Sequence, residues 1–458
     1  MTAPAARIDR SRLPEPVRGR PYVFPAIDKS RLSNGLRVWT VRHAPVPVVS
    51  VMLLVRSGSA SDPAGKEGLA AITMDMLDEG SGDRSAIEMH EGLARLGAQF
   101  DSDIGSDAAA MTVTMLSRFT ERGLAIVADM AARPRLGEAD FSRVRQLRLH
   151  RLTQLRDIPG MVADRTFVRL LYGEHPYGHT PIGSEQSLAR LTVDDVRLFH
   201  AAAIAPSAAT LIVSGDCDHG EVLRIARDAF GGWRGEPGGP NTTDAPLPRP
   251  ARLNVVPRPG APQSELRIGH VAASRDTPDY HALVAANMVL GGQFVSRINL
   301  NLREDKGLTY GARTSFDFRR MPGPFALQVS VQTSGTARAI RESIDEIAAI
   351  RGLRPITDAE LALGVAALTR GYARNFETAE QIARAAMQIA LYDLPDDYFA
   401  LYVPRLEAVT PADAMAAAAR HLDSARLVTL AVGDLDAIGA DLRQLDLGEA
   451  VVLSAEAF

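Results

Sequence analysis

The sequence predicts an α+β protein made of two homologous halves. Three features carry that reading: an internal repeat, a strands-then-helices order within each copy, and a Gly/Pro-rich join between the copies. Residues 191–218, LTVDDVRLFHAAAIAPSAATLIVSGDCD, run without a gap against 409–436, VTPADAMAAAARHLDSARLVTLAVGDLD. Thr192 meets Thr410, Asp195 meets Asp413, and Gly215, Asp216 and Asp218 meet Gly433, Asp434 and Asp436. Each copy reads as a Thr-x-x-Asp helix start, in which Thr caps free N–H groups, followed by an apolar strand stopped by Gly-Asp. A second match sets SVMLLVRSGSASD (50–62) against SELRIGHVAASRD (264–276), with Ser50 opposite Ser264 and alternating strand patterns in both. Two matches near one period point to duplication.

Between the copies, GGWRGEPGGPNTTDAPLPRPAR (231–252) has the composition of a linker. The chain therefore divides into an N-terminal arm (1–27), a first half (28–230), the linker (231–252) and a second half (253–458). Strands are expected at 36–43, 49–57 and 109–116. Helices are expected at 66–79, 84–96, 119–131 and 138–156, and in the second half at 338–349, 357–374 and 378–391, with each set packed on an antiparallel sheet.

A length of 458 residues suits two to four domains of ~100–200 residues, so a large interior can be buried. Hydrophobic residues at 46% and charged residues at 23% are ordinary globular values, and no stretch approaches the ~20 apolar residues of a membrane span. A net charge of −4 gives no basic field for nucleic acid. The single cysteine, Cys217, rules out an internal disulfide framework and reads as a small core residue. The N-terminus carries no apolar leader segment, and the compartment stays open between the cytoplasm and, if a leader has been removed, the periplasm.

Several segments, LSNGLRVWTV (32–41), HPYGHTPIGSEQSLARLTVDDVRLFH (175–200), RPGAPQSELRIGH (258–270) and GGQFVSRINLNLREDKGLTYGA (291–312), resemble the pitrilysin family of inverted-motif zinc peptidases. That family includes mitochondrial processing peptidase and the core proteins of the respiratory bc1 complex. The resemblance implies a clamshell of two homologous halves around a peptide chamber.

In active members of that family a helix carries H-x-x-E-H, two His ligands on one face with Glu as general base, and a later helix supplies a third ligand, a Glu. Here the corresponding stretch is EGLAAITMDMLDEG (67–80), with Ala71 and Asp75 at the His positions and Met74 at the Glu position. The later helix places Arg151 at the ligand position and Val144 at the supporting-Glu position, and a one-residue slip would substitute His150 or Leu152. Ala gives zinc no electron pair, Arg repels it, and Met cannot take a proton from water. The resemblance thus implies no hydrolysis by this half, no zinc in this chain, and an Asp75–Arg151 ion pair where the metal would have been. Other candidates are weaker. His281 stands alone on a core-like helix, His175 and His179 fall in a Pro/Gly turn, and Asp75, Asp78, Glu79 and Asp83 read as a solvated helix end before they read as a cation site.

The segment NLREDKGLTYGA (301–312) is intact, with Arg303 ending a helix that Gly307 can stop and Tyr310 opening a strand. In the family, an Arg and a Tyr so placed reach toward the zinc-bound peptide, where both can donate to a developing oxyanion. Spacing alone reads them as a helix-end Arg paired with Glu304 or Asp305 and a Tyr packed in a sheet. The resemblance implies a non-catalytic subunit that pairs with a homologous, H-x-x-E-H-bearing, zinc-holding partner and contributes Arg303 and Tyr310 to peptide hydrolysis in trans. The alternatives are a structural or peptide-holding protein without a proteolytic role, and a peptidase with an unrecognised metal site.

Overall fold

The computed structural model describes residues 11, 22–238, 247, 248 and 250–454. Most of the expected arm and the middle of the expected linker lie outside the described residues. The first half runs β1 (Ile27–Arg31), β2 (Arg37–Arg42), β3 (Val48–Val55), α1 (Leu69–Asp75), the two-residue strands β4 (Gly80–Ser81) and β5 (Arg84–Ser85), α2 (Ala86–Arg95), β6 (Gln99–Ile104) and β7 (Ala109–Leu116). It continues with α3 (Thr120–Ala132), α4 (Glu138–Arg156), α5 (Pro159–Tyr172), α6 (Glu185–Arg190), α7 (Val193–Ala203), β8 (Ala209–Gly215) and α8 (His219–Phe230). The second half runs β9 (Leu253–Pro257), β10 (Gln263–Val271), α9 (Tyr280–Asn287), α10 (Arg297–Asn299), β11 (Ala312–Phe316), β12 (Pro324–Gln332), α11 (Thr336–Ala349) and α12 (Asp358–Thr369). It closes with α13 (Ala379–Tyr392), α14 (Tyr398–Glu407), α15 (Pro411–His421), β13 (Val428–Gly433), α16 (Leu435–Leu442) and β14 (Val451–Val452).

The two main sheets share the order and directions of five strands and differ at one edge, where β1 lies antiparallel to β2 but β14 lies parallel to β9. Their orders are β1-β2-β8-β3-β7-β6 and, read from the other end, β14-β9-β13-β10-β12-β11. In each, the strand ending in the repeated glycine lies antiparallel to one neighbour (β3 or β10) and parallel to the other (β2 or β9). The sheets are therefore mixed, not purely antiparallel, because β2 and β8 are separated by the whole run of intervening strands and helices rather than by a hairpin. Gly215 and Gly433 occupy equivalent strand ends, as the repeat requires. The matched helix starts also agree: Thr192 and Thr410 each accept a hydrogen bond from the backbone N–H of Asp195 or Asp413, and those carboxylates return the bond. The second sequence match is displaced by one residue. Ser50 faces Ser214, whereas the residue facing the equivalent Val432 is Glu265 and not Ser264. The one-residue shift puts Val51 and Leu53 in register with Leu266 and Ile268, so the same face of each sheet meets its own helices.

The halves sit as two shells of a clamshell, and neither sheet leaves its second face bare. β3 and β8 are apolar along almost their whole length and must be covered on both sides. One face of the first sheet packs on α3 and α8. Its other face, with Trp39, Val41, Met52, Leu54 and Ile212, packs on Ile382, Ala386 and Ile389 of α13 from the second half. The second sheet reciprocates: Val256, Leu430 and Val432 pack on Val162, Phe167 and Leu171 of α5 from the first half. Ahead of β1, Tyr22 stacks on Phe376 of the second half and Phe24 meets the same ring edge-on, with ring centroids 4.5 and 5.5 Å apart, which adds a strap across the join. Trp233, placed in the linker by composition, is buried in the first core beside Phe230.

Candidate functional site

The helix that would carry the metal motif is held firmly. The buried Asp62 carboxylate accepts bonds from the backbone N–H groups of Gly68 (2.7 Å) and Ala70 (2.6 Å), capping the start of α1. His179 Nε2 sits 3.0 Å from the same carboxylate and 3.0 Å from the Ser59 carbonyl. Burial pushes the Asp62 carboxyl up, against the opposing effect of His179. His175 Nδ1 accepts the Tyr177 N–H at 3.0 Å. The two histidines of HPYGHTP therefore serve a turn and a helix cap.

Ala71 and Asp75 of α1 line an open cleft of about 500 Å³ together with Val144 and Arg151 of α4. The helix spacing inferred for these four positions thus converges on one place. Met74 does not join them; it is buried in the core of the first half. Asp75 also finds a different partner. Its Oδ2 accepts from Arg148 Nε at 2.6 Å, while Arg151 donates to the Gln154 side-chain oxygen at 3.3 Å. Arg148 lies on the same stripe of α4, between Val144 and Arg151, and its side chain reaches Asp75. The sequence reading passed over it, although its spacing of four from Val144 and three from Arg151 was the available signal.

The donor set does not fit a zinc ion. Of the four positions that meet in the cleft, only Asp75 offers a ligating group, and that group is already paired to a guanidinium; Ala71 and Val144 offer nothing and Arg151 repels a cation. Among the described residues, no group of three or more His, Cys, Asp or Glu side chains is arranged to hold a metal. The neighbouring acidic residues are engaged as well. Glu79 pairs with Arg143, and Asp78 stands 3.4 Å from His90. Burial pushes the Asp78 carboxyl up to about 6, with His90 opposing.

Arg303 and Tyr310 lie in the second half, outside this cleft. Arg303 belongs to a π-helical turn, Leu300–Asp305, one of two in this stretch. Its Nε donates to Glu304 Oε1 at 2.8 Å, and its guanidinium lies 3.4 Å over the centroid of the Phe294 ring. Gly307, at φ +60°, stops the helix as expected. Tyr310 does not open the strand: β11 begins at Ala312, and Tyr310 projects from the preceding loop with 95% of its surface exposed. Two anchors produce that exposure. Thr309 Oγ1 donates to the Ser330 carbonyl and accepts from Gly311 N–H, and Asn299 pairs with both backbone groups of Ala312. Beneath them, Arg297 makes a two-pronged contact with Glu360 at 2.7 and 2.8 Å, which holds the Glu360 carboxyl down at about 2. Arg297 was inside the quoted motif and carried no role in the sequence reading.

A family model described as Insulinase (Peptidase family M16) matches residues 37–177, and one described as Peptidase M16 inactive domain matches 190–368. The chain is a pitrilysin-family (M16) peptidase homologue. Curated relatives of this M16 homologue include uncharacterized zinc proteases of Mycobacterium leprae, 24% identical over 76% of this chain and 79% of the relative, and of Mycobacterium tuberculosis, 25% identical over 76% and 80%. Among solved structures, a peptidase M16 inactive domain from Pseudomonas fluorescens superposes with a TM-score of 0.81 at 24% identity, covering 89% of this chain and 98% of the other. A protease from Helicobacter pylori superposes with a TM-score of 0.83 at 20% identity, covering 89% and 99%. At those identities the structural likeness speaks to the fold. Among its described residues, the M16 homologue has no helix long and apolar enough to cross a membrane.

Proposed function

We propose that this M16 homologue is the non-catalytic subunit of a heterodimeric zinc metallopeptidase, paired with a homologous chain that carries H-x-x-E-H and the zinc. The observation that carries this reading is an asymmetry. The metal positions hold Ala71, Met74, Asp75 and Arg151, whereas the Arg303/Tyr310 segment is intact and presents Tyr310 outward, with only 5% of its surface covered by its own chain. A phenol and a guanidinium can both donate to a peptide carbonyl as its oxygen becomes negative. Across a shared chamber the partner would supply metal and base, and this chain would supply the two donors.

The test is reconstitution. Alone, the chain should hold no stoichiometric zinc and cleave no peptide, since nothing in its cleft activates water. With the zinc-bearing homologue, cleavage should appear. Tyr310→Phe or Arg303→Ala should then lower kcat/KM by roughly 10²–10³-fold without separating the subunits. Unchanged kinetics in both mutant complexes would remove the trans-catalytic role. A second reading, a peptide-holding protein without proteolysis, draws on the contacts of Arg303 with Glu304 and Phe294, which occupy its guanidinium within the chain. Stoichiometric zinc in the isolated chain would defeat both.

A further inference from the structure

The cleft around Ala71 has lost its metal donors but keeps a strand edge and a charge. β6 is the terminal strand of the first sheet, so one side of its backbone has no strand neighbour among the described residues. Its alternate residues Phe100, Ser102 and Ile104 line the cleft, while Asp101 and Asp103 turn to the opposite face, where Arg384 meets them. Across the cleft, α4 presents Leu147, 56% exposed, and Arg151.

The charges of the cleft can be followed one by one. Asp75 is paired with Arg148 and Glu79 with Arg143. Asp78 faces His90, and burial pushes its carboxyl up, so less of its negative charge persists toward mildly acidic pH. Arg151 makes no ion pair among the described residues, and its hydrogen bond goes to a neutral amide oxygen. A planar guanidinium therefore stands without a counter-charge at the position the resemblance assigns to a metal ligand, beside a strand edge and exposed apolar side chains. Guanidinium donors match a carboxylate in a two-pronged geometry.

We propose that Arg151 makes this cleft selective for carboxylates: its guanidinium takes a carboxylate of an extended peptide lying along β6. The carboxylate comes from the peptide C-terminus or from an Asp or Glu side chain. This rests on the peptide-ligand part of the function proposed above, but not on a catalytic partner. The two ideas can therefore fail separately, because binding is read on the chain alone and trans-cleavage on the reconstituted pair.

The experiment uses fluorescence anisotropy of the full chain with labelled eight-residue Val/Leu peptides containing one Glu. Four versions are compared: free acid, C-terminal amide, Glu→Gln, and both changes together. Each is titrated against the wild-type chain, Arg151→Gln and Arg151→Lys. Arg151 is on the exposed side of α4, and retention of the wild-type thermal midpoint confirms that each variant folds. Loss of the relevant carboxylate should weaken binding on the order of 10–100-fold, the scale of a charge-assisted pair. Arg151→Gln should weaken the free-acid peptide equally and show no further loss with the doubly neutralised one, and Arg151→Lys should fall between. Sensitivity to the amide identifies the C-terminus as the source, and sensitivity to Glu→Gln identifies the side chain. Equal binding of all four peptides, an Arg151→Gln chain that binds the free acid as well as wild type, or absence of peptide binding by the wild-type chain would each overturn the proposal.

Discussion

Asp78 is the residue whose environment makes the most direct claim on solution behaviour. Its side chain is 22% exposed, and burial raises its carboxyl to about 6, from an unfolded value near 3.8. His90 on α2 opposes that rise, while the neighbouring Glu79 and Asp75 add to it; Arg143 also lies within electrostatic reach. Between those two pH values the folded state holds a proton that the unfolded chain releases, so stability falls as pH rises from about 4 to 6 and stays reduced above. Asp78→Asn should remove that loss. The variant is expected to be more stable than wild type at pH 7.5, on the order of 1–3 kcal/mol, and to converge with it near pH 4. Urea unfolding across this range measures the difference, and a constant gap at all pH values would refute the buried-carboxylate account. Nothing in the sequence announced this group as distinct from Glu79 or Asp83. All read as one solvated acidic helix end, because burial depends on how α4 and β6 close over it.

At the scale of elements, the ends of the longer helices were the most legible. α4 was anticipated at 138–156 and is found at Glu138–Arg156, and α3, α11 and α13 fall within two residues of their expected bounds. β6 was missed because Asp101, Ser102 and Asp103 favour turns, and a strand at a sheet edge can carry them. The site shows the same division. The stripe Val144–Arg148–Arg151 follows from helix geometry, but which arginine captures Asp75 depends on side-chain reach that spacing does not encode. The Arg297–Glu360 clamp is another such contact. It ties the segment carrying Arg303 and Tyr310 to the first turn of α12, where Thr357 and Glu360 also form a reciprocal cap. Arg297 is buried, so Glu360→Gln strands a cation and should cost about 2–4 kcal/mol. The folded carboxyl, at about 2, lies below its unfolded value of 4.5, so the clamp's contribution is present above pH 4.5 and disappears as pH falls toward 2. The wild-type advantage over Glu360→Gln in chemical unfolding should shrink across that acid window, and a difference independent of pH would place the cost elsewhere.

For the whole molecule, the reciprocal placement of α5 and α13 decides how the halves relate. The repeat made two halves legible and left open how they join, since an amphipathic helix does not say which sheet it will cover. Each half alone would expose one complete sheet face: Trp39, Met52, Leu54 and Ile212 in the first, Val256, Leu430 and Val432 in the second. Apolar faces of that extent, at about 25 cal/mol per Å², represent several kcal/mol lost per half and an open surface for aggregation. A linker between two self-sufficient domains would permit separate melting; helices exchanged between sheets demand a single cooperative transition. Fragments 1–238 and 250–458, produced separately, should be insoluble or loosely packed, and should form a compact one-to-one complex when refolded together. Calorimetry of the intact chain should show one transition, and replacing Ile389 in α13 with Asp should destabilise both halves together. Two separable transitions, or a soluble first-half fragment with native-like exchange protection of β3 and β8, would mean that each core stands without the other's helix.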